Sequence, residues 1–223
     1  MSSGVLYVVA TPIGNLSDLS PRARDVLGSV DAVWCEDTRV TAKLCAALGI
    51  SPSLKTFHEH TDPRVRAEIV RDLMVGKSYA LVTDAGTPGI SDPGGFLVHD
   101  AVQAGIVIVP IPGPSAIIAA LSICGFPTDR FTMVGFPPHK KGRETFFREL
   151  ADIHHTIVLY ESTHRIEKTL QSLAALNRPL VVCRELTKLH ETIYRGSAEE
   201  ILAQLHATSM KGEFVIVIGK LGG

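Results

Sequence analysis

The chain has 223 residues, is 45% hydrophobic and 20% charged, and carries a formal net charge of −1. That length and balance fit one large or two small α/β domains with real cores and exclude a disordered polyampholyte. The near-zero charge means that a nucleic-acid function must rest on a local basic patch, and no apolar run approaches the roughly 20 residues of a membrane helix.

In chain order, Met1-Ser2-Ser3-Gly4 leads directly into an apolar run, so the expectation is no secretory leader and a cytoplasmic protein. Residues 6–10 read as a strand, and Thr11-Pro12-Ile13-Gly14-Asn15 forms a tight turn at its carboxyl end. Ser20-Pro21 supplies a cap and a first-turn proline for a helix. Residues 31–35 read as a second strand, followed by Glu36-Asp37-Thr38-Arg39. Those four polar residues either cap the next helix, through Asp37 or Thr38, or bring carboxylates and a cation to a ligand edge. A helix over 40–48 stops at Gly49, a strand covers 54–57, and an amphipathic helix over 64–75 closes at Gly76. His58 and His60 lack a third partner at metal-ligand spacing, so no metal is expected there.

The apolar run 79–83 leads into Asp84-Ala85-Gly86-Thr87-Pro88-Gly89-Ile90-Ser91-Asp92-Pro93-Gly94. Glycines and prolines at the carboxyl end of a buried strand let the backbone approach a ligand closely, and in open α/β sheets that edge binds small molecules. The spacing is neither a dinucleotide fingerprint nor a P-loop. A helix over 96–104 and a strand over 106–111 complete an alternating series that implies parallel βαβ units.

Pro112-Gly113-Pro114-Ser115 opens a helix over 116–123, whose first N–H groups suit an anionic group. The pattern then changes. A strand over 131–136 precedes the basic loop His139-Lys140-Lys141-Gly142-Arg143 and a helix over 143–151. Residues 156–160 form a strand ending in Tyr160-Glu161-Ser162-Thr163-His164-Arg165, in which Ser162 or Thr163 caps a helix over 163–176. Glu161 and His164 are not explained by capping and are candidates to titrate in a cleft. Strands over 180–183 and 213–218 follow, with a short run over 192–195 able to pair antiparallel and a helix over 197–206. The expectation is two α/β domains, 1–114 with a mainly parallel sheet and 115–223 with a mixed one, and a ligand cleft between them. Cys35, Cys45, Cys124 and Cys183 are scattered without a Cys-x-x-Cys pair and read as reduced thiols.

Taken together, seven ordered segments resemble a known family: Thr11–Asp18, Glu36–Arg39, Asp84–Pro88, Pro112–Ala116, Tyr160–Arg165, Arg184–Lys188 and Lys211–Val215. They are similar to the RsmI-type ribosomal RNA methyltransferases of the tetrapyrrole methylase superfamily. The resemblance implies S-adenosylmethionine as cofactor, a homodimer, and methylation of a cytidine ribose 2′-OH in small-subunit rRNA. It also implies cofactor contacts at Pro12, Ile13, Gly86, Thr87, Pro88, Ile90, Ser115 and Ala116, and more loosely at Tyr160, Glu185 and Glu213. Relatives of this type commonly continue into a small helical extension, whereas this sequence ends at Gly223. Autonomous RNA affinity is therefore expected to depend on that extension more than cofactor binding does.

In-line transfer from a sulfonium needs no metal, but a ribose hydroxyl is a poor nucleophile and benefits from a base. The candidates are Glu36 or Asp37 first, then His58, Glu161 and His164. Arg39, Lys140, Lys141, Arg143 and Arg165 are the candidates for holding the RNA backbone. The alternatives are a tetrapyrrole methyltransferase, which would want a roomier apolar cleft, and a non-catalytic cofactor-binding module.

Overall fold

The computed structural model describes residues 4–220; the start and end of the sequence discussed above lie outside the described residues. The chain divides into two compact units, the first ending at Ser115 and the second beginning at Ala116.

In the first unit the strands are β1 (Val5–Val9), β2 (Ala32–Cys35), β3 (Leu54–Thr56), β4 (Tyr79–Leu81) and β5 (Val107–Ile111). The helices are α1 (Pro21–Ser29), α2 (Thr38–Leu48), α3 (Pro63–Met74) and α4 (Gly95–Gln103). All pairings are parallel, in the order β3-β2-β4-β1-β5. The period-two alternation of a strand divides its residues between two cores. Ala32, Trp34, Tyr79 and Leu81 pack with Ile69 and Leu73 of α3 and Leu97 and Ala101 of α4. Val33, Cys35, Ala80 and Val82 face the other way, onto Ala23 and Leu27 of α1. A sheet covered on both faces explains why its strands are continuous apolar runs.

Local signals set the helix ends. Ser20 and Asp37 cap α1 and α2 through their side chains, and α2 stops at Gly49 in the left-handed conformation.

The second unit holds α5 (Ala116–Ile123), β6 (Phe131–Met133), α6 (Arg143–Ala151), β7 (Thr156–Ser162) and α7 (Ile166–Ala174). It continues with β8 (Leu180–Arg184), β9 (Thr192–Gly196), α8 (Ala198–Ala207) and β10 (Glu213–Ile218). The sheet order is β6-β7-β10-β8-β9, parallel only between β6 and β7. One face, with Ile157, Leu159, Val182, Phe214 and Ile216, packs on Phe147 of α6, Leu170 of α7 and Ile201 of α8. The four cysteines are buried free thiols.

Two local expectations are corrected. Neither Ser162 nor Thr163 caps α7: Ser162 ends β7, and the cap position falls to Arg165 with no side-chain hydrogen bond. Thr163 instead donates its hydroxyl to the Gly212 carbonyl and accepts from the Gly212 N–H, both at 2.7 Å, closing the loop before β10. The strand expected over 131–136 is also shorter, because β6 keeps regular pairing only to Met133.

Candidate active site

Three loops meet at the carboxyl edge of the parallel sheet. Thr11 donates its N–H to the Gly86 carbonyl at 2.9 Å and accepts the Gly86 N–H at 3.1 Å, so the turns after β1 and β4 form a small bridge. The buried Thr11 hydroxyl adds a bond to the Thr83 carbonyl at 3.1 Å. Pro12 and Ile13 are thereby held beside Gly86, where a Cβ would sit 3.6 Å from the Ile13 side chain. Gly86 has φ +87°, which favours glycine. The Thr87 hydroxyl donates to the Pro114 carbonyl at 3.4 Å, drawing the segment before Ser115 to the same place. At Gly113 a Cβ would lie 3.0 Å from the Ala10 Cβ, so that close approach leaves little room for a side chain. Pro88 is buried below, and Ile90 stands half exposed.

Beside this cradle lies a group of carboxylates. The Asp37 carboxylate caps α2 by accepting the Arg39 N–H at 2.8 Å and pairs with the Arg39 guanidinium at 2.6 Å. The Arg39 hydrogen bonds pull the Asp37 carboxyl down to about 2. Glu36 has no such cation: burial and then the charge of Asp84 push its carboxyl up. Asp84 accepts the Asp37 N–H at 3.2 Å and is itself raised, by burial first and the Asp37 charge second. Asp92 is raised furthest, to about 6, by burial and then by the charges of Glu36 and Asp84. The buried Thr83 hydroxyl faces both Glu36 and Asp92 and partly offsets these rises. A cavity of about 1030 Å³ opens here, lined among others by Glu36, Phe57, His58, Arg66, Asp92 and Phe96.

The second unit uses several of the remaining sequence candidates internally. Glu161, whose side chain is fully buried, accepts from Thr169 at 2.5 Å, from the Ser162 N–H at 2.7 Å, and pairs with Arg165 at 2.9 Å. These three partners give Glu161 a structural task within the second unit. Arg165 also donates to the Pro137 carbonyl at 2.7 Å. Arg143 donates to the Pro138 carbonyl and to the Thr169 hydroxyl, with its guanidinium over Phe147. These two arginines therefore tie the basic loop to its surroundings. Lys140 and Lys141 are exposed, and His164 is exposed in the turn after β7.

Glu185 and Glu213 are brought together. The Glu185 carboxylate accepts the Glu213 N–H at 2.9 Å, and Lys188 donates to both carboxylates at 3.0 and 2.8 Å. Burial pushes Glu185 up, but the Glu213 N–H and Lys188 outweigh it and leave the carboxyl low. Tyr160 lies on β7 opposite Val215, its ring packed on Phe136 with centroids 5.2 Å apart.

Sequence reasoning singled out Glu36 and His58 but missed Thr83 and Asp92. Asp92 carried a usable signal, since it is one of only two charges in the Gly/Pro loop. Thr83 carried none, because a threonine closing an apolar strand is ordinary.

Residues 5–202 match the family model of the tetrapyrrole (corrin/porphyrin) methylases. The chain is 47% identical over 221 residues to a protein of Xylella fastidiosa named ribosomal RNA small subunit methyltransferase I, covering 96% of this chain and 81% of that one. Proteins of the same name from Synechocystis and Bacillus subtilis are 45% and 41% identical, each covering 96% of this chain and 78% and 75% of their own length. Among solved structures, a cobalt precorrin-4 methyltransferase superposes with a TM-score of 0.71 at 18% identity, covering 96% of this chain and 94% of the other. A uroporphyrin-III C-methyltransferase from Thermus thermophilus gives 0.65 at 20%, covering 97% and 94%. At that identity the structures speak for the fold alone. The chain belongs to the tetrapyrrole methylase family of S-adenosylmethionine-dependent methyltransferases.

Proposed function

We propose that this chain transfers a methyl group from S-adenosylmethionine to a cytidine 2′-OH of small-subunit ribosomal RNA. The observation that carries the reading is the 40–47% identity, over nearly the whole chain, to proteins named ribosomal RNA small subunit methyltransferase I. The joined loops fit the cofactor. Gly86 supplies a positive φ, Gly113 leaves backbone where a Cβ would crowd Ala10, and hydrogen bonds hold Pro12–Ile13, Gly86–Pro88 and the segment before Ser115 together. Pro12, Ile13, Gly86, Thr87, Pro88, Ile90, Ser115 and Ala116 are the residues assigned to hold it, with Tyr160, Glu185 and Glu213 assigned from the second unit. When bound, it supplies an activated methyl group on a sulfonium.

The chain's own part is to orient the acceptor, exclude water and take its proton. Glu36 is the base: it faces the cavity and lacks the cation that disables Asp37. Its raised carboxyl also brings it closer to a working pH, which improves a general base. His58 lines the same cavity and stands second. The exposed Lys140 and Lys141 are assigned to the RNA backbone, as is Arg39, which stays 86% exposed despite its ion pair. The enzyme is further read as a cytoplasmic homodimer.

Labelled methyl transfer tests this, using assembled small subunits and deproteinised rRNA as acceptors, with the product mapped by alkaline hydrolysis. A single alkali-resistant cytidine linkage in either acceptor is the expected result. Label in neither acceptor, or label on a base, overturns the reading.

A further inference from the structure

The loop over 84–94 has two sides with different chemistry. Gly86, Thr87 and Pro88 belong to the bridged cradle, whereas Gly89, Ser91, Asp92 and Gly94 line the cavity of about 1030 Å³. That volume lies at the upper end of small-molecule sites, about 300–1,000 Å³, and is more than a nucleoside requires. We propose that this cavity receives the acceptor nucleobase and that Asp92 recognises cytosine there by its exocyclic amine. The inference rests on the methyl-transfer reading above and names the residue that selects the acceptor.

Two observations carry it. Phe96 lines the cavity with 64% of its surface exposed, and the Arg66 guanidinium stands 5.5 Å from its ring centroid. An exposed aromatic face with an arginine beside it is a stacking platform for a base. Arg66 is held by Asp100 at 2.8 Å, so the platform is fixed beforehand. At the other end, Asp92 presents acceptor oxygens to the cavity, and carboxylates accept from the cytosine amine. Uracil sets a carbonyl oxygen against the Asp92 carboxylate instead.

The test uses the full chain and acceptor RNA carrying either cytidine or uridine at the mapped position. The wild type is expected to prefer cytidine by about a hundredfold or more. Asp92→Asn keeps the shape and adds an N–H₂ donor suited to the uracil carbonyl, so the preference should narrow to about tenfold or less. Phe96→Ala should instead slow both acceptors alike. A cytidine preference unchanged in Asp92→Asn overturns the proposal.

A second readout needs no methyl transfer. Titration with cytidine 5′-monophosphate should shift the side-chain NMR signals of His58 and His99, which line the cavity. Uridine 5′-monophosphate should shift them only in Asp92→Asn. Equal shifts with both nucleotides in the wild type, or none with either, also overturn the proposal. Cytidine-selective shifts from a protein that methylates neither RNA would instead keep the cavity assignment and sink the reading of the reaction.

Discussion

Asp37 and Glu36 are neighbours in sequence and opposites in chemistry. An exposed guanidinium holds one carboxyl down to about 2, while burial and the Asp84 charge raise the other. Glu36→Gln should therefore lower the rate of methyl transfer by about 10²–10⁴-fold with cofactor affinity unchanged, measured by single turnover and calorimetry. The wild-type rate should rise with pH along a limb placed above the ordinary glutamate value of 4.5, and that limb should vanish in the variant.

Asp92 makes a different statement, about stability. Its folded value near 6 exceeds the ordinary 3.8, so between those values the folded state binds more protons than the unfolded one and stability falls as pH rises. The full cost applies above about pH 6, on the order of 1–2 kcal/mol after allowance for solvent screening. Asp92→Asn should raise the melting temperature at pH 7.5 and change it little at about pH 2.5, where the native residue is neutral in both states. A destabilised variant at pH 7.5 would contradict this. The gain is what a group kept for function at the expense of stability should give. Glu36 was legible in the sequence because it stands in a polar run after a strand; which of the two carboxyls remains usable was not, because that depends on where Arg39 turns its guanidinium.

At the scale of elements, the sequence specified most helices through local chemistry. Pro21, Gly49 and the reciprocal Ser197–Glu200 capping box act within a few residues. Arg178 was not legible, because its work is done across long separations. Buried between α7 and β8, it donates to the Gly219, Ile153 and His155 carbonyls at 2.6, 2.7 and 2.7 Å, tying the end of β10 to the chain after α6. Arg178→Ala should destabilise the second unit by about 3 kcal/mol, since buried carbonyls lose their donors, and Arg178→Lys should recover only part of it. Urea unfolding followed in that unit measures both. The loop over 84–94 has a comparable weak point. Gly94 has φ +138°, and a Cβ there would lie 2.9 Å from Leu81 Cδ2, so Gly94→Ala should cost about 1–3 kcal/mol and displace the cavity side of the loop. Its glycines announced the loop in the sequence, but its two faces follow only from how Thr11 and Leu81 meet it.

For the whole molecule, a net charge of −1 leaves RNA affinity to a few exposed cations. With Arg143 and Arg165 committed to internal partners, Lys140→Ala combined with Lys141→Ala should reduce the slope of log affinity against log salt by about 1.5–2. Cofactor affinity should stay unchanged; an unaltered slope would remove the basic loop from the RNA-binding surface. The α/β alternation and the change to a mixed sheet were legible because apolar runs and breakers are local. Strand order was not: no residue of β1 states that its neighbours are β4 and β5 rather than β2.

That order also governs how the protein is made. Leu6 pairs with Tyr79 on one side and Ile108 on the other, so both sheet neighbours of β1 come later in the chain than β1 itself. Until residues 79–111 have left the ribosome, β1 has neither edge covered, and its apolar side chains wait for α3 and α4 as well. Synthesis at roughly 5–20 residues per second leaves that strand unpaired for several seconds on each nascent chain. A chain stalled before residue 79 should therefore be protease-sensitive at β1, and protection there should appear only once β5 has emerged.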